Sequence, residues 1–230
     1  MAGATAILPA RGGSKRIPRK NIKAFCGRPM IAWPIAAALQ SGAFARVVVS
    51  TDDAEIAAVA RGLGAEVPFV RDARLADDFA DTKSVIADAV ARLGLADDAV
   101  ACCLYPTAAF AGPDDLRNGV AALAEPGVRW VMSVAEYATP VQRSYRIDGG
   151  RLVPNTPDAM AKRSQDLEPV YFDAGQFYCA RVATWRDAAS PMWDRPKPVV
   201  LAKGRVVDID TPEDWALAEL VVRFLKDRGG

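Results

Sequence analysis

The chain has 230 residues, enough for one α/β domain with a full core. Its 29 Lys and Arg residues balance 28 Asp and Glu for a formal net charge of +1, which excludes a general electrostatic pull toward nucleic acid or anionic lipid, so any anion site has to be local. There is no histidine, which removes Ser-His and Cys-His nucleophiles and every His-based metal site and leaves carboxylates, Lys, Arg, backbone amides and oxygen-bound metal to carry chemistry.

Short runs rich in Val, Ile and Leu alternate with amphipathic stretches of about a dozen residues, the rhythm of βα units. The run 5–8 reads as a first buried strand, followed by a long polar loop through Gly27 and a helix over 30–40 that Pro34 bends or confines. A strand over 46–50 leads into a helix over 51–64, with Thr51 or Asp52 as N-cap and Gly64 as stop signal. Then come a strand over 66–70, a helix over 83–93, a strand over 99–105, a helix over 114–123 and a strand over 129–137. From 139 to 173 the rhythm breaks into polar, turn-rich sequence with adjacent Gly149 and Gly150, an excursion with a β-ribbon that suits a substrate lid or a subunit contact. The chain returns through 174–180, a short helix near Trp185 and strands over 198–202 and 205–209. A last helix has Thr211 as N-cap, Pro212 at its first position and Glu213 and Asp214 in its first turn. The expected architecture is a single α/β domain over 1–230, a mostly parallel Rossmann-like nucleotide-binding sheet flanked by helices.

The apolar runs, such as 99–105, are far shorter than the roughly 18 residues of a membrane span, and the first ten residues lack a basic n-region, so a cytoplasmic protein is expected. Of four cysteines, Cys102 and Cys103 are adjacent and alternate faces on a strand; buried free thiols are the expected reading.

The segment 8–25 begins at the end of the first strand with Leu8 and Ala10. It then sets Arg11, Lys15, Arg16, Arg19, Lys20 and Lys23 around the flexible pair Gly12 and Gly13. Ligands of open α/β sheets collect at the carboxyl ends of strands, and glycine amides with flanking cations suit a polyphosphate. No G-K-[ST] closes the loop and G-x-G-x-x-G is absent, so it is neither a Walker loop nor the dinucleotide fingerprint; a solvated basic loop is the alternative.

Asp208 and Asp210 are two apart, so on an extended strand end both carboxylates face one way and share one hard cation, Mg²⁺. The alternative is that they cap the following helix, although Thr211 already offers that cap. Asp52 and Asp53 read instead as charges at a helix N-terminus.

The stretches 10–21 and 27–33 together resemble the signature of the CMP-sugar-acid synthetases, which activate sialic acids and their relatives; 49–53, 71–82, 105–108 and 206–215 match in order, covering nearly the whole chain. Segments 102–110, 162–168 and 171–178 are most similar to the branch of that family that uses pseudaminic acid. The resemblance implies CTP and an acidic nine-carbon sugar as substrates, with Arg11 and Lys20 on the triphosphate and Gly12, Gly13, Lys15 and Asn21 shaping the pocket. It places Arg71, Ala80 and Thr82 at cytosine, partly through main-chain atoms, and assigns Asp208 and Asp210 to the metal. It also implies a homodimer joined through 139–170.

Tyr105 and Thr107, at a strand end, are further nucleotide candidates. An acidic sugar brings a carboxylate that calls for a cation or amide donors, so Arg143 and Arg163 in the irregular excursion are acceptor candidates, together with Gln142, Gln165, Asp173 and Gln176. Tyr171 joins them, although the aromatics at 171–178 otherwise read as core. Sialic acid enzymes carry a lysine at about the position of Gln142, so the resemblance favours a related nonulosonic acid over a simple sialate.

Overall fold

A computed structural model describes residues 3–77, 80–202 and 204–228. Strand β1 (Ala4–Pro9) leads into the polar loop, where β2 (Ala24–Phe25) and β3 (Arg28–Pro29) pair antiparallel. Helix α1 (Ala32–Ser41) has Pro34 in its first turn, where backbone N–H groups lack helical partners, so the proline confines the start instead of bending the helix. Next are β4 (Phe44–Ser50) and α2 (Ala54–Gly62). The cap of α2 is Asp53, not Thr51 or Asp52. Its carboxylate accepts from the N–H groups of Glu55 and Ile56, each at 2.9 Å, while the Thr51 hydroxyl accepts from Asp53 N–H and Asp52 turns to Gly12.

The strand expected over 66–70 is reduced to two isolated parallel bridges, Val48 to Glu66 and Thr51 to Val70. Pro68 between them lacks the N–H that would continue a ladder. Helix α3 (Thr82–Arg92, capped by Asp81), β5 (Val100–Leu104), α4 (Pro113–Ala122) and β6 (Trp130–Glu136) lie close to their expected bounds. In the excursion, β7 (Tyr145–Asp148) and β8 (Arg151–Pro154) form the ribbon. Gly149 and Gly150, at φ 54° and 75°, make the tight turn that only such residues adopt cheaply. Then follow β9 (Tyr171–Arg181), α5 (Val182–Arg186), β10 (Lys197–Leu201) and α6 (Pro212–Arg228). Thr211 caps α6 as expected: its hydroxyl accepts from Asp214 N–H, and the Asp214 carboxylate accepts from the N–H groups of Thr211 and Asp210.

The six-stranded sheet has the order β10-β6-β9-β5-β1-β4. Neighbours are parallel except at β9, which runs antiparallel to both β5 and β6. A parallel strand needs a covering crossover; β9 enters from the ribbon excursion without one. The segment 205–209 is not a strand. Arg205 ion-pairs with Asp115 and donates to the Phe110 carbonyl, and the Ile209 carbonyl takes Lys20, so side chains hold this segment in place of a ladder.

Alternation along the strands builds a core on each face. Ala6, Leu8, Val47, Val49, Cys102 and Leu104 pack on one side with Ile35, Ile56 and Leu116 of the helices. On the other side Ile7, Ala101 and Cys103 meet Ile86, Val90 and Trp185. Cys102 and Cys103 are buried free thiols on opposite faces, as the strand reading requires. A third cluster of Ile17, Phe25, Met30, Phe110, Ile209 and Trp215 fastens the polar loop to α6, which carries the loop's charged residues to the ends of β1, β4 and β5. Among the described residues no helix is long and apolar enough to cross a membrane.

Candidate active site

A cleft of about 660 Å³ opens at these strand ends. From the basic loop it is lined by Arg11, Ser14, Lys15, Arg16, Lys20 and Asn21. The loop is held by hydrogen bonds within itself and to distant main chain. Asn21, nearly buried, donates to the Arg11 carbonyl at 2.9 Å, Arg11 reaches the Asp77 carbonyl at 2.6 Å, and Lys20 donates to the Ile209 carbonyl at 2.7 Å. Two of the six loop cations go elsewhere: Arg19 binds Asp53 and Glu55, and Lys23 sits over the Trp215 ring. Gly12 and Gly13 do not line the cleft. The Gly12 N–H donates to the Asp52 carboxylate at 3.0 Å, so this amide is already engaged by protein. The glycine there has a packing reason, since a Cβ would lie 2.8 Å from an Asp53 oxygen.

Opposite the loop stand Arg71, Ala80 and Thr82, together with Leu75, Asp77 and Val85. Arg71 is almost wholly buried, with Nε on the Ser50 hydroxyl at 3.1 Å and a terminal nitrogen on the Ser50 carbonyl. Burial pulls its pKa down to about 10, with Asp52 opposing, so the guanidinium stays charged at neutral pH. The Ala80 N–H donates to Asp77 at 2.8 Å, and the Thr82 hydroxyl shares a 2.6 Å hydrogen bond with the Tyr105 phenol. Tyr105, Pro106 and Thr107 continue the wall from β5. Leu8 and Ala10 are fully buried outside the lining, and the Ala10 N–H donates to the Ser50 carbonyl, so the structure does not bring these two to the cleft.

Asp208 and Asp210 close the cation side of the cleft. Asp210 pairs with Arg16 at 2.9 Å and Lys20 at 3.6 Å. Asp208 accepts no hydrogen bond among the described residues, and burial, reinforced by the neighbouring charge of Asp210, holds its carboxyl above the usual range. That is a carboxylate short of positive charge. Among the described residues no group of three or more His, Cys, Asp or Glu side chains forms a metal cage. Two carboxylates beside a basic cleft are a donor set that fits Mg²⁺, an ion commonly bound through one or two carboxylates.

The acceptor candidates separate. Asp173 lines the main cleft, whereas Gln142, Arg143, Arg163, Gln165, Tyr171 and Gln176 do not. Gln142 donates to the Glu168 carbonyl, Arg143 reaches the Lys162 carbonyl and the Ser164 hydroxyl, and Arg163 pairs with Asp166, so these three brace the excursion. Gln165 lines a second pocket between 136–141 and 164–170. Tyr171 is 45% exposed at the start of β9. Gln176 is buried, with its amide bonded to Phe110 N–H and the Ala174 carbonyl, and frames the turn after β5.

Residues that pattern reasoning overlooked include Asp77, Gly175 and Tyr178. Asp77 lies inside the 71–82 stretch, where its acidic neighbours concealed it. Tyr178 reads as core by strand alternation, yet its phenol donates to Asp173 at 2.7 Å, and its ring packs edge-on against Tyr105 with centroids 5.6 Å apart. Burial raises the pKa of both phenols, that of Tyr105 to about 12, so both remain protonated donors at neutral pH.

A model of the cytidylyltransferase family matches residues 5–148. The chain is 38% identical over 220 residues to a pseudaminic acid cytidylyltransferase of Campylobacter jejuni, which covers 94% of this chain and 95% of the relative. It is 37% identical over 230 residues to a CMP-N,N'-diacetyllegionaminic acid synthase of Legionella pneumophila, at 95% and 96% coverage. A solved CMP:2-keto-3-deoxy-manno-octonic acid synthetase complexed with CTP shares the fold at a TM-score of 0.69 and 17% identity, over 98% of this chain and 99% of that one. With a basic cleft at its strand ends, a family model spanning most of its sheet and relatives this close over nearly its whole length, the chain belongs to the cytidylyltransferase family.

Proposed function

We propose that the protein transfers CMP from CTP to the anomeric hydroxyl of a nonulosonic acid, pseudaminic acid, and releases pyrophosphate. The observation that carries this reading is the cleft itself, in which Arg11, Lys15, Arg16 and Lys20 converge beside Asp208 and Asp210. The relatives in Campylobacter jejuni and Legionella pneumophila, named for two different nonulosonic acids, support the acceptor class, and the first of them supports pseudaminic acid.

In this reading Arg11, Lys15 and Lys20 neutralise the triphosphate, with Asn21 fixing the loop main chain at Arg11. Arg71, Ala80 and Thr82 face the cytosine, and Tyr105 and Thr107 line the path between nucleotide and acceptor. Asp208 and Asp210 hold Mg²⁺, which when bound supplies neutralising charge at the phosphates. The acceptor hydroxyl attacks the α-phosphorus in line. The bond from that phosphorus to the bridging oxygen breaks, pyrophosphate departs with the electron pair, and the hydroxyl proton passes to solvent. Positioning and charge neutralisation supply most of the acceleration, so no histidine base is required.

The same proposal includes a homodimer built on the excursion, whose ribbon exposes Tyr145, Ile147 and Leu152. Arg143, Arg163, Gln142 and Gln165 would then meet substrate only if a second copy brings them to a cleft. The three buried free thiols fit a reducing, cytoplasmic setting. Pyrophosphate release with CTP and Mg²⁺ across a panel of pseudaminic, legionaminic, N-acetylneuraminic and keto-deoxy-octulosonic acids tests the reading. Preference for pseudaminic acid supports it, preference for another acid moves the substrate, and CTP binding without release from any acid refutes it.

A further inference from the structure

We propose that Asp173 is a specificity-determining contact whose carboxylate recognises a neutral hydrogen-bond donor, an amide N–H or a hydroxyl, at the end of the acceptor remote from the reacting hydroxyl. This rests on the transfer reaction proposed above.

The local backbone is built to present this carboxylate. The β6·β9 register breaks between Met132 and Val134: Met132 lies opposite Tyr178, whereas Val134 lies opposite Asp173. The extra β9 residues bulge out through Gly175, whose φ of 59° favours glycine. The buried Ser133 hydroxyl takes the bulge amides of Gln176 and Phe177 at 3.3 and 3.0 Å, so the bulge is satisfied and fixed. Its consequence is that Asp173 and Tyr178, five positions apart and of opposite strand parity, point into one cleft. There the Tyr178 phenol donates to one Asp173 oxygen at 2.7 Å and Gly175 N–H donates to the other at 2.9 Å. Tyr178 in turn packs on Tyr105, which is hydrogen-bonded to Thr82.

Each Asp173 oxygen therefore keeps a lone pair for a ligand, and the side chain cannot swing away without breaking two hydrogen bonds. Among the described residues Asp173 makes no ion pair, in contrast to Asp210 with Arg16 and Lys20. It is a solvent-exposed carboxylate at the cleft wall, which accepts from N–H or O–H groups and disfavours another carboxylate. In a 2-ulosonic acid the carboxylate and the anomeric hydroxyl share one carbon. The cations draw that end toward the phosphates, and the opposite, amide- or hydroxyl-bearing end falls to Asp173. Tyr178 is the positioning residue in this arrangement.

Steady-state kinetics of wild type, Asp173→Asn and Tyr178→Phe, with CTP and the best acceptor of the panel, test the inference. Asp173→Asn should lower kcat/KM for the acceptor by about 10-fold or more, the effect of weakening a hydrogen bond to a charged group, mainly through acceptor KM. The KM for CTP should stay within about twofold. Tyr178→Phe should act in the same direction more weakly, with its melting temperature reporting any general loss of structure. An acceptor KM unchanged in Asp173→Asn, or a loss shared equally by CTP and acceptor, overturns the inference while the transfer reaction stands. A wild-type protein silent with every acceptor overturns both.

Discussion

Gly12 and Gly13 are neighbours in one loop, yet their substitution by alanine should have opposite consequences. A Cβ on Gly12 would sit 2.8 Å from Oδ2, 3.1 Å from Cβ and 3.3 Å from Cγ of Asp53. Asp53 has little freedom to yield, because it caps α2 through two backbone N–H groups and pairs with Arg19. Displacing it sacrifices the cap or strains the loop, at a cost of about 1–3 kcal/mol. For a chain of this size each kcal/mol lowers the melting temperature by roughly 2–4 °C, so Gly12→Ala should melt about 2–12 °C lower than wild type. Gly13 has no atom within 4 Å of an added Cβ and no positive φ, so Gly13→Ala should be neutral or gain up to about 1 kcal/mol from reduced freedom of the unfolded chain. Thermal melts of the two variants beside wild type decide the matter. Equal shifts, or an unaffected Gly12→Ala, would refute the idea that Asp53 fixes this loop.

Asp210→Asn should reduce turnover by about 100-fold or more, because it removes a proposed metal ligand. Its exposed pair with Arg16 is worth at most about 1 kcal/mol, so the melting temperature should barely move, and undiminished turnover would remove Asp210 from the reaction. Gly119→Ala places a methyl group 2.7 Å from the fully buried Phe177 ring, an overpacking cost of about 1–3 kcal/mol that should exceed the helix-propensity gain and lower the melting temperature; a rise would mean the ring can shift. The hydrogen bond from Arg19, helped by the N–H groups of Ile56 and Glu55, depresses the Asp53 pKa in the folded state. Its stabilisation is therefore complete above the unfolded carboxylate value of about 3.9 and is lost as pH falls through the lower folded value. Urea midpoints of wild type and Asp53→Asn should differ at neutral pH and converge as pH falls below the unfolded carboxylate value of about 3.9; a gap that widens on acidification would contradict the assignment.

The rhythm of the sheet was legible because strands such as β4 and β6 are short apolar runs rich in valine, and the cap at Thr211 because its signals are local. The clustering of Arg11, Lys20, Asp208 and Asp210 was legible from the short motifs and the family resemblance, although the strand expected beneath Asp208 and Asp210 is absent. What escaped depends on distant partners. Asp53 wins the α2 cap because Arg19, far along the chain, binds it, while Asp52 is taken by Gly12. The antiparallel sense of β9 follows from an excursion whose path carries no short-range signal. Tyr178 enters the cleft only because a bulge at Gly175 resets strand parity, which alternation reads as core. Arg143 and Arg163 carry the charge an acidic sugar calls for, but carbonyls and Asp166 in their own excursion take them up.

Phosphorus NMR of the protein with CTP, Mg²⁺ and pseudaminic acid tests the central claim most directly. The three CTP resonances should give way to one phosphodiester signal and one pyrophosphate signal, the two products in equal molar amounts. Conversion of CTP to CDP and phosphate, or spectra unchanged by the acceptor, would contradict that claim.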